Sequence, residues 1–221
     1  MSQINWDKIA DGLTDDEAKY ALQLKRRLTN LNYQTEAQQK FITFVKHMWP
    51  DFIEGEHHKI FAKQLEAVAQ GKSKRLIVNM PPRHTKSEFA SVYFPAWMMG
   101  RNPKLKIIQA THTTELATGF GRKCKAIVNS PSFNECFPEV KISPESQAAG
   151  RWNTVDGGEH FAAGVGAAIT GRGADLLIID DPHSEQDALS STSFEACYEW
   201  YTSGPRQRLQ PGGSIVIVMT R

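Results

Sequence analysis

The hydrophobic rhythm of the chain changes once. Up to residue 70 the apolar positions recur at helical spacing; from residue 75 onward short apolar runs alternate with amphipathic stretches. Residues 1–35 are polar and read as helical, with Asp15, Asp16 and Glu17 opening a helix over Ala18 to Leu31. Lys25, Arg26 and Arg27 come late in it, the order that suits a helix dipole. That basic trio reads as a solvated face, with DNA contact as the alternative. Gln34 to Met48 forms a second helical pattern, closed by Trp49 and Pro50. His57 to Gln70 forms a third, with Ile60, Phe61, Leu65 and Val68 on one face and Gly71 as its stop.

The second half predicts strands at 75–79, 105–110, 160–165, 176–180 and 214–219, and helices at 86–99, 113–129 and 188–203. Apolar strands separated by helices imply a mainly parallel sheet covered on both faces, an α/β fold. In such sheets ligands bind at the carboxyl ends of the strands. Residues 142–158, rich in Ser, Pro and Gly, read as an exposed excursion. The expected organisation is an N-terminal helical extension over 1–50 and one domain over 51–221.

Composition narrows the picture. A hydrophobic content of 40% with 23% charged residues describes an ordinary globular chain, and a net charge of +2 means that any DNA contact must come from a local patch. The three cysteines, Cys124, Cys136 and Cys197, have no C-x-x-C spacing; reduced thiols in a cytosolic protein fit them best. No apolar run approaches membrane-spanning length and no export signal opens the chain, so no membrane partner is expected.

Two strand ends carry candidate chemistry. After the run Arg75 to Asn79 come Met80-Pro81-Pro82-Arg83-His84-Thr85-Lys86-Ser87 and then a helix. Strand, loop, Lys-Ser and helix is the layout of a phosphate-binding loop, or Walker A, in which Lys86 would reach the β- and γ-phosphates and Ser87 would ligate Mg²⁺. The glycines of G-x-x-x-x-G-K-[ST] would fall at Met80 and Thr85, and neither is glycine. Pro81 and Pro82 stiffen the approach to the loop. At Thr85 a Cβ opposes positive φ and close phosphate approach. Arg83 adds a charge that could meet the γ-phosphate in cis. The second end is Leu176-Leu177-Ile178-Ile179-Asp180-Asp181, a buried-type strand ending in two carboxylates, the pattern of a Walker B. There Asp180 would hold Mg²⁺, and Asp181 would orient and deprotonate the attacking water. The plainer alternatives are a Lys-Ser pair opening an ordinary helix and a polar Asp-Asp-Pro turn. A third apolar strand, Ser214 to Met219, runs into Thr220, whose hydroxyl either senses the γ-phosphate or starts a loop.

These motifs together resemble the large terminase subunit of tailed bacteriophages. The resemblance runs from Pro81-Pro82-Arg83-His84-Thr85-Lys86-Ser87 through Thr170-Gly171-Arg172-Gly173-Ala174-Asp175 and the Asp180-Asp181 strand to Arg208-Leu209-Gln210-Pro211-Gly212-Gly213 and Thr220-Arg221. It covers roughly residues 50–221. It implies a RecA-like P-loop ATPase of the additional-strand class that binds ATP and Mg²⁺ and drives double-stranded DNA into a procapsid. Portal protein, small terminase subunit and self-assembly into a ring are the implied partners. The implied location is the host-cell cytoplasm and, transiently, the portal vertex, not the finished virion.

Site residues carry over one by one. Pro82, Arg83, His84, Thr85, Lys86 and Ser87 match the nucleotide loop, and Asp180 and Asp181 match the Walker B pair, with Asp181 where the family usually has Glu. Thr220 matches the coupling motif. Arg172 lies where the family places an arginine finger acting on a neighbour, with Arg206 and Arg208 as competitors. Glu56-His57-His58 to Gln64 resembles the adenine-side motif. The family's nuclease domain follows the ATPase, and its carboxylates are not among these 221 residues, so DNA cleavage is not expected of them. Three other readings compete. One is a helicase-like ATPase, from Asp180-Asp181-Pro182-His183. Another is a docking module without turnover, from the missing glycines. The last is a two-metal nuclease using Asp180, Asp181, Glu185 and Asp187.

Overall fold

The structure, a computed structural model, describes residues 13–146 and 148–220. The first twelve residues of the stretch 1–35 read as helical, and Arg221, lie outside the described residues. In order, the main elements are α1 (Asp15–Gln39), α2 (Phe41–Met48), α3 (Glu56–Ala69), β1 (Arg75–Met80), a π-helical segment (Glu88–Tyr93), α4 (Phe94–Arg101), β2 (Lys106–Thr111) and α5 (Thr114–Val128). There follow α6 (Pro131–Cys136), β3 (Arg151–Asn153), β4 (Glu159–Gly164), β5 (Ala174–Asp180), α7 (Ser191–Ser203) and β6 (Leu209–Thr220).

Six strands form one sheet in the order β1-β6-β5-β2-β4-β3. All neighbouring pairs are parallel except β3 with β4. The fold is thus α/β with a mainly parallel sheet, and β6 lies between β1 and β5. Strand period explains how both faces are covered. Ile107, Leu176, Ile178, Val216 and Val218 enter a large core under α2 to α6, while Ile108, Leu177, Ile179 and Ile215 enter a smaller one with Trp200 and Tyr201 of α7. Register places Met80 beside Thr220, and Asp180 beside both Val218 and Thr111. The carboxyl ends of β1, β6, β5 and β2 therefore meet along one edge.

Four expectations are corrected. The helical pattern at 34–48 is not one helix: α1 runs on to Gln39 and the break falls at Lys40, in extended conformation. The two groups that a continuous helix would join there have tertiary partners instead. The Phe41 N–H donates to Glu66 Oε1 at 2.8 Å, and the Ala37 carbonyl accepts from Trp97 Nε1 at 2.9 Å. The break turns Phe41 and Phe44 into the core, where Phe41 meets Phe89, Phe94 and Trp97.

The helix expected over 86–99 carries a π-helical stretch at Glu88–Tyr93 and ends at Arg101. Residues 142–158 are not simply an exposed excursion. They contain β3, whose Trp152 is fully buried, donates to the Gly121 carbonyl at 3.2 Å and stacks on His160. The helix expected from 188 begins at Ser191, after a short 3₁₀ turn at Asp187–Leu189.

Candidate functional site

The loop after β1 has no glycine, yet its backbone turns as a glycine loop would. Arg83 and Thr85 both lie in the left-handed region, at φ 61° and 58°. A non-glycine residue costs about 1–3 kcal/mol there and persists only when its surroundings hold it. For Thr85 the support is visible. His58 of α3 places Nε2 2.5 Å from Thr85 Oγ1, and that hydroxyl donates to the His84 carbonyl at 2.6 Å. The His84 ring is fixed in turn, its Nδ1 lying 2.8 Å from the Pro82 carbonyl. Thr85 thus adopts the positive φ that its Cβ opposes. The loop encloses a cavity of about 190 Å³, lined by residues from Pro81 to Glu88.

Lys86 and Ser87 open the helix that follows. Lys86 is buried, and its ammonium forms an ion pair with Asp181 and lies 3.4 Å from Asp180 Oδ1. Ser87 Oγ donates to the same Asp180 oxygen at 3.1 Å, and Ser91 Oγ donates to the other at 2.7 Å. Asp180 is almost fully buried, and that burial pushes its carboxyl above the ordinary aspartate value, against the pull of Lys86 and the two hydroxyls. The Asp180 carboxylate and the Ser87 hydroxyl are oxygen donors of the kind Mg²⁺ takes; they would hold the ion, whose charge would offset the burial.

Asp181 follows in a left-handed conformation, φ 42°, with its N–H on the Val218 carbonyl at 3.0 Å and its carbonyl accepting from His112 N at 3.2 Å. The turn aims its carboxylate across the strand ends. Oδ1 accepts the Thr220 N–H at 2.6 Å, and Oδ2 accepts the Thr220 hydroxyl at 2.9 Å as well as the Lys86 ammonium. Lys86, Ser87, Asp180, Asp181 and Thr220, which the sequence singles out from three separate strands, thus converge in one network.

Other expected residues stand further off. Arg83 and His84 are exposed on the loop, and Pro82 lies at its mouth. Gln64 is exposed on α3, about 10 Å along the helix axis from His57. His57 approaches the loop itself, with its ring centroid 5.4 Å from that of His84. Arg172 precedes β5 and so lies at the opposite edge of the sheet, about 20 Å or more from Asp180. Its guanidinium pairs with Glu159 and lies 4.1 Å from the Phe161 ring centroid. Asp175, three residues on from Arg172, instead accepts the Lys106 N–H at 2.9 Å.

Sequence reasoning missed Ser91. Its signal was available: it follows Ser87 by four positions on a helix whose start is fixed, so both hydroxyls fall on the side facing Asp180. Reasoning also missed the bond from His58 to Thr85, which joins elements far apart in the chain and leaves no spacing signature.

No protein-family model and no curated protein matches the chain. Among solved structures, the crystal structure of the HK97 bacteriophage large terminase matches 82% of this chain with a TM-score of 0.50 and 14% sequence identity. The chain spans 37% of the length of that protein. At this identity the likeness is one of fold, and the fold of this chain is terminase-like.

Proposed function

We propose that this chain is the ATP-hydrolysing motor domain of a large terminase subunit, powering translocation of double-stranded viral DNA into a procapsid. One observation carries the reading: Lys86 and Ser87, from the loop after β1, meet Asp180, Asp181 and Thr220 from the ends of β5 and β6. Phosphoryl transfer needs this set, with positive charge on the phosphates, a metal held by hydroxyl and carboxylate, and a carboxylate for the attacking water. In this reading Lys86 leaves Asp181 for the β- and γ-phosphates when ATP binds, and Mg²⁺ held by Asp180 and Ser87 would supply charge that neutralises the phosphates. Asp181, released from Lys86, takes the proton of the water, while Thr220 orients it. Arg83 supplies a further charge to the γ-phosphate in cis, and Gln64 lies on the adenine side.

Mg²⁺-dependent phosphate release from ATP, rising on addition of double-stranded DNA, tests the proposal. A protein that binds nucleotide without turnover would instead be a docking module, and unwinding of forked DNA would make it a helicase. The proposed partners are double-stranded DNA, the portal protein, the small terminase subunit and further copies of the chain in a ring. The proposed location is the host-cell cytoplasm and the portal vertex. No helix among the described residues is long and apolar enough to cross a membrane.

Two further outcomes follow. Supercoiled plasmid incubated with the chain and Mg²⁺ or Mn²⁺ should stay intact. Asp187, one carboxylate of the rival nuclease set, is already bound by Ser184, and among the described residues no group of three or more His, Cys, Asp or Glu is placed to hold a metal. Cleavage that co-purifies with the protein and vanishes with Asp180→Ala would assign that carboxylate to a nuclease centre.

For Arg172, a finger reaching a neighbouring subunit must first leave Glu159 and Phe161. Removing the pairing and the ring contact should cost about 1–2 kcal/mol, a Tm decrease of roughly 2–8 °C for Arg172→Ala. A trans finger additionally requires that Arg172→Ala bind ATP, barely turn it over, and regain activity when mixed with Lys86→Ala. A lowered Tm with no recovery on mixing, while wild-type subunits assemble, would make Arg172 a structural residue and leave Arg83 as the acting arginine.

A further inference from the structure

We propose that His58 is a positioning residue for phosphate binding: its imidazole takes the place of the missing loop glycine by holding Thr85 in the left-handed conformation. This rests on the phosphate-site reading above and adds a residue from outside the loop.

The hydrogen-bond directions are fully determined. The Gly55 N–H donates to His58 Nδ1 at 2.8 Å, so that nitrogen is an acceptor and Nε2 carries the hydrogen. Nε2 therefore donates to Thr85 Oγ1, whose own hydrogen goes to the His84 carbonyl. The hydroxyl accepts from His58 and donates to that carbonyl at once, which gives a reason for Thr at the glycine position. The imidazole is itself held. It is only 6% exposed, with its ring centroid 4.8 Å from that of Phe52 and 5.2 Å from that of Phe89. Burial, and the neighbouring His57 after it, push its pKa down and favour the neutral form that this relay requires.

The lock has a functional direction. A phosphate-binding loop works when its backbone is set to wrap the anion before the anion arrives. A β-branched residue released from its lock relaxes to negative φ and turns the neighbouring peptide groups. His58 also lies on α3, the helix that carries Gln64, so the lock ties the proposed base side of the nucleotide to its phosphate side.

The experiment is equilibrium binding of N-methylanthraniloyl-ATP with Mg²⁺. His58→Phe keeps a ring against Phe52 and Phe89 but cannot donate; Thr85→Val keeps the shape of the threonine but cannot accept. Each should raise Kd by about 10- to 100-fold, the scale of the left-handed penalty for a non-glycine residue, and the double variant should be no weaker than the worse single one. In a Thr85→Gly background, His58→Phe should change Kd by less than about twofold, because glycine needs no lock. An undiminished effect of His58→Phe in that background, additive losses, or no loss from either single variant would overturn the proposal. Binding by the wild type that is lost in Lys86→Ala reports separately on the phosphate-site reading. The lock is also readable without nucleotide: in a crystal structure of ligand-free His58→Phe, Thr85 should have left positive φ, and an unchanged left-handed Thr85 would overturn it.

Discussion

Lys86→Ala is expected to reduce ATP hydrolysis to background. Its ammonium is the one cation buried among Asp180, Asp181 and Ser87 in the described network. Moved onto the phosphates, a unit charge about 4 Å from a phosphate oxygen is worth about 4 kcal/mol at an effective dielectric of about 20, or roughly 10³ in rate. Loss of the positive end also removes the attraction that brings nucleotide to the loop, so binding should weaken together with turnover. The variant leaves Asp180 buried with only the Ser87 and Ser91 hydroxyls, and the folded state must be checked by thermal denaturation. Steady-state phosphate release from folded Lys86→Ala at the wild-type rate would mean that the loop after β1 is not where phosphoryl transfer occurs.

Asp181→Asn is expected to separate binding from chemistry. The amide keeps the size of the carboxylate and satisfies Thr220 if its oxygen faces the Thr220 N–H and its nitrogen the hydroxyl. It cannot accept the proton of an attacking water. Asp180 and Ser87 are untouched, and Lys86 loses the carboxylate that would compete with phosphate for its ammonium, so nucleotide affinity should remain near wild type or tighten. The value of kcat should fall by about 10²–10⁴, the usual contribution of a positioned acid or base. Isothermal titration with a non-hydrolysable ATP analogue, beside single-turnover hydrolysis, reads the two effects separately. A collapse of affinity would show that both carboxylates hold the metal.

The parts of the fold that were legible are those in which burial imposes a period. Strands covered on both faces, such as Leu176 to Asp180 and Ile215 to Met219, read as apolar runs whose carboxyl ends match the observed ones closely, while β6 begins earlier than expected, at Leu209 in a polar, Gly-rich stretch. The parts that were not legible depend on partners distant in sequence. The break at Lys40 exists because Glu66 and Trp97 claim the groups on either side of it. Trp152 sits in a polar stretch whose composition hides one deep anchor. The site divides the same way. Asp180, Asp181 and Thr220 stand at strand tips, and Lys86 and Ser87 at a helix start, all at recognisable spacing. The left-handed Thr85 contradicts its own local preference, and only a tertiary contact resolves the conflict.

The position of β6 limits how the molecule can move. Ile215 to Thr220 is laddered to β1, and Ser214 to Val218 to β5, so the strand that presents Thr220 is gripped along both flanks. Sliding it as a lever would break two parallel ladders at once. Compliance must therefore reside at the rim of the sheet, in the turn after Asp181 and in the residues around Arg83. In the proposed motor the sheet would be the anvil against which those turns are loaded, and work would leave through the loops rather than along the strands.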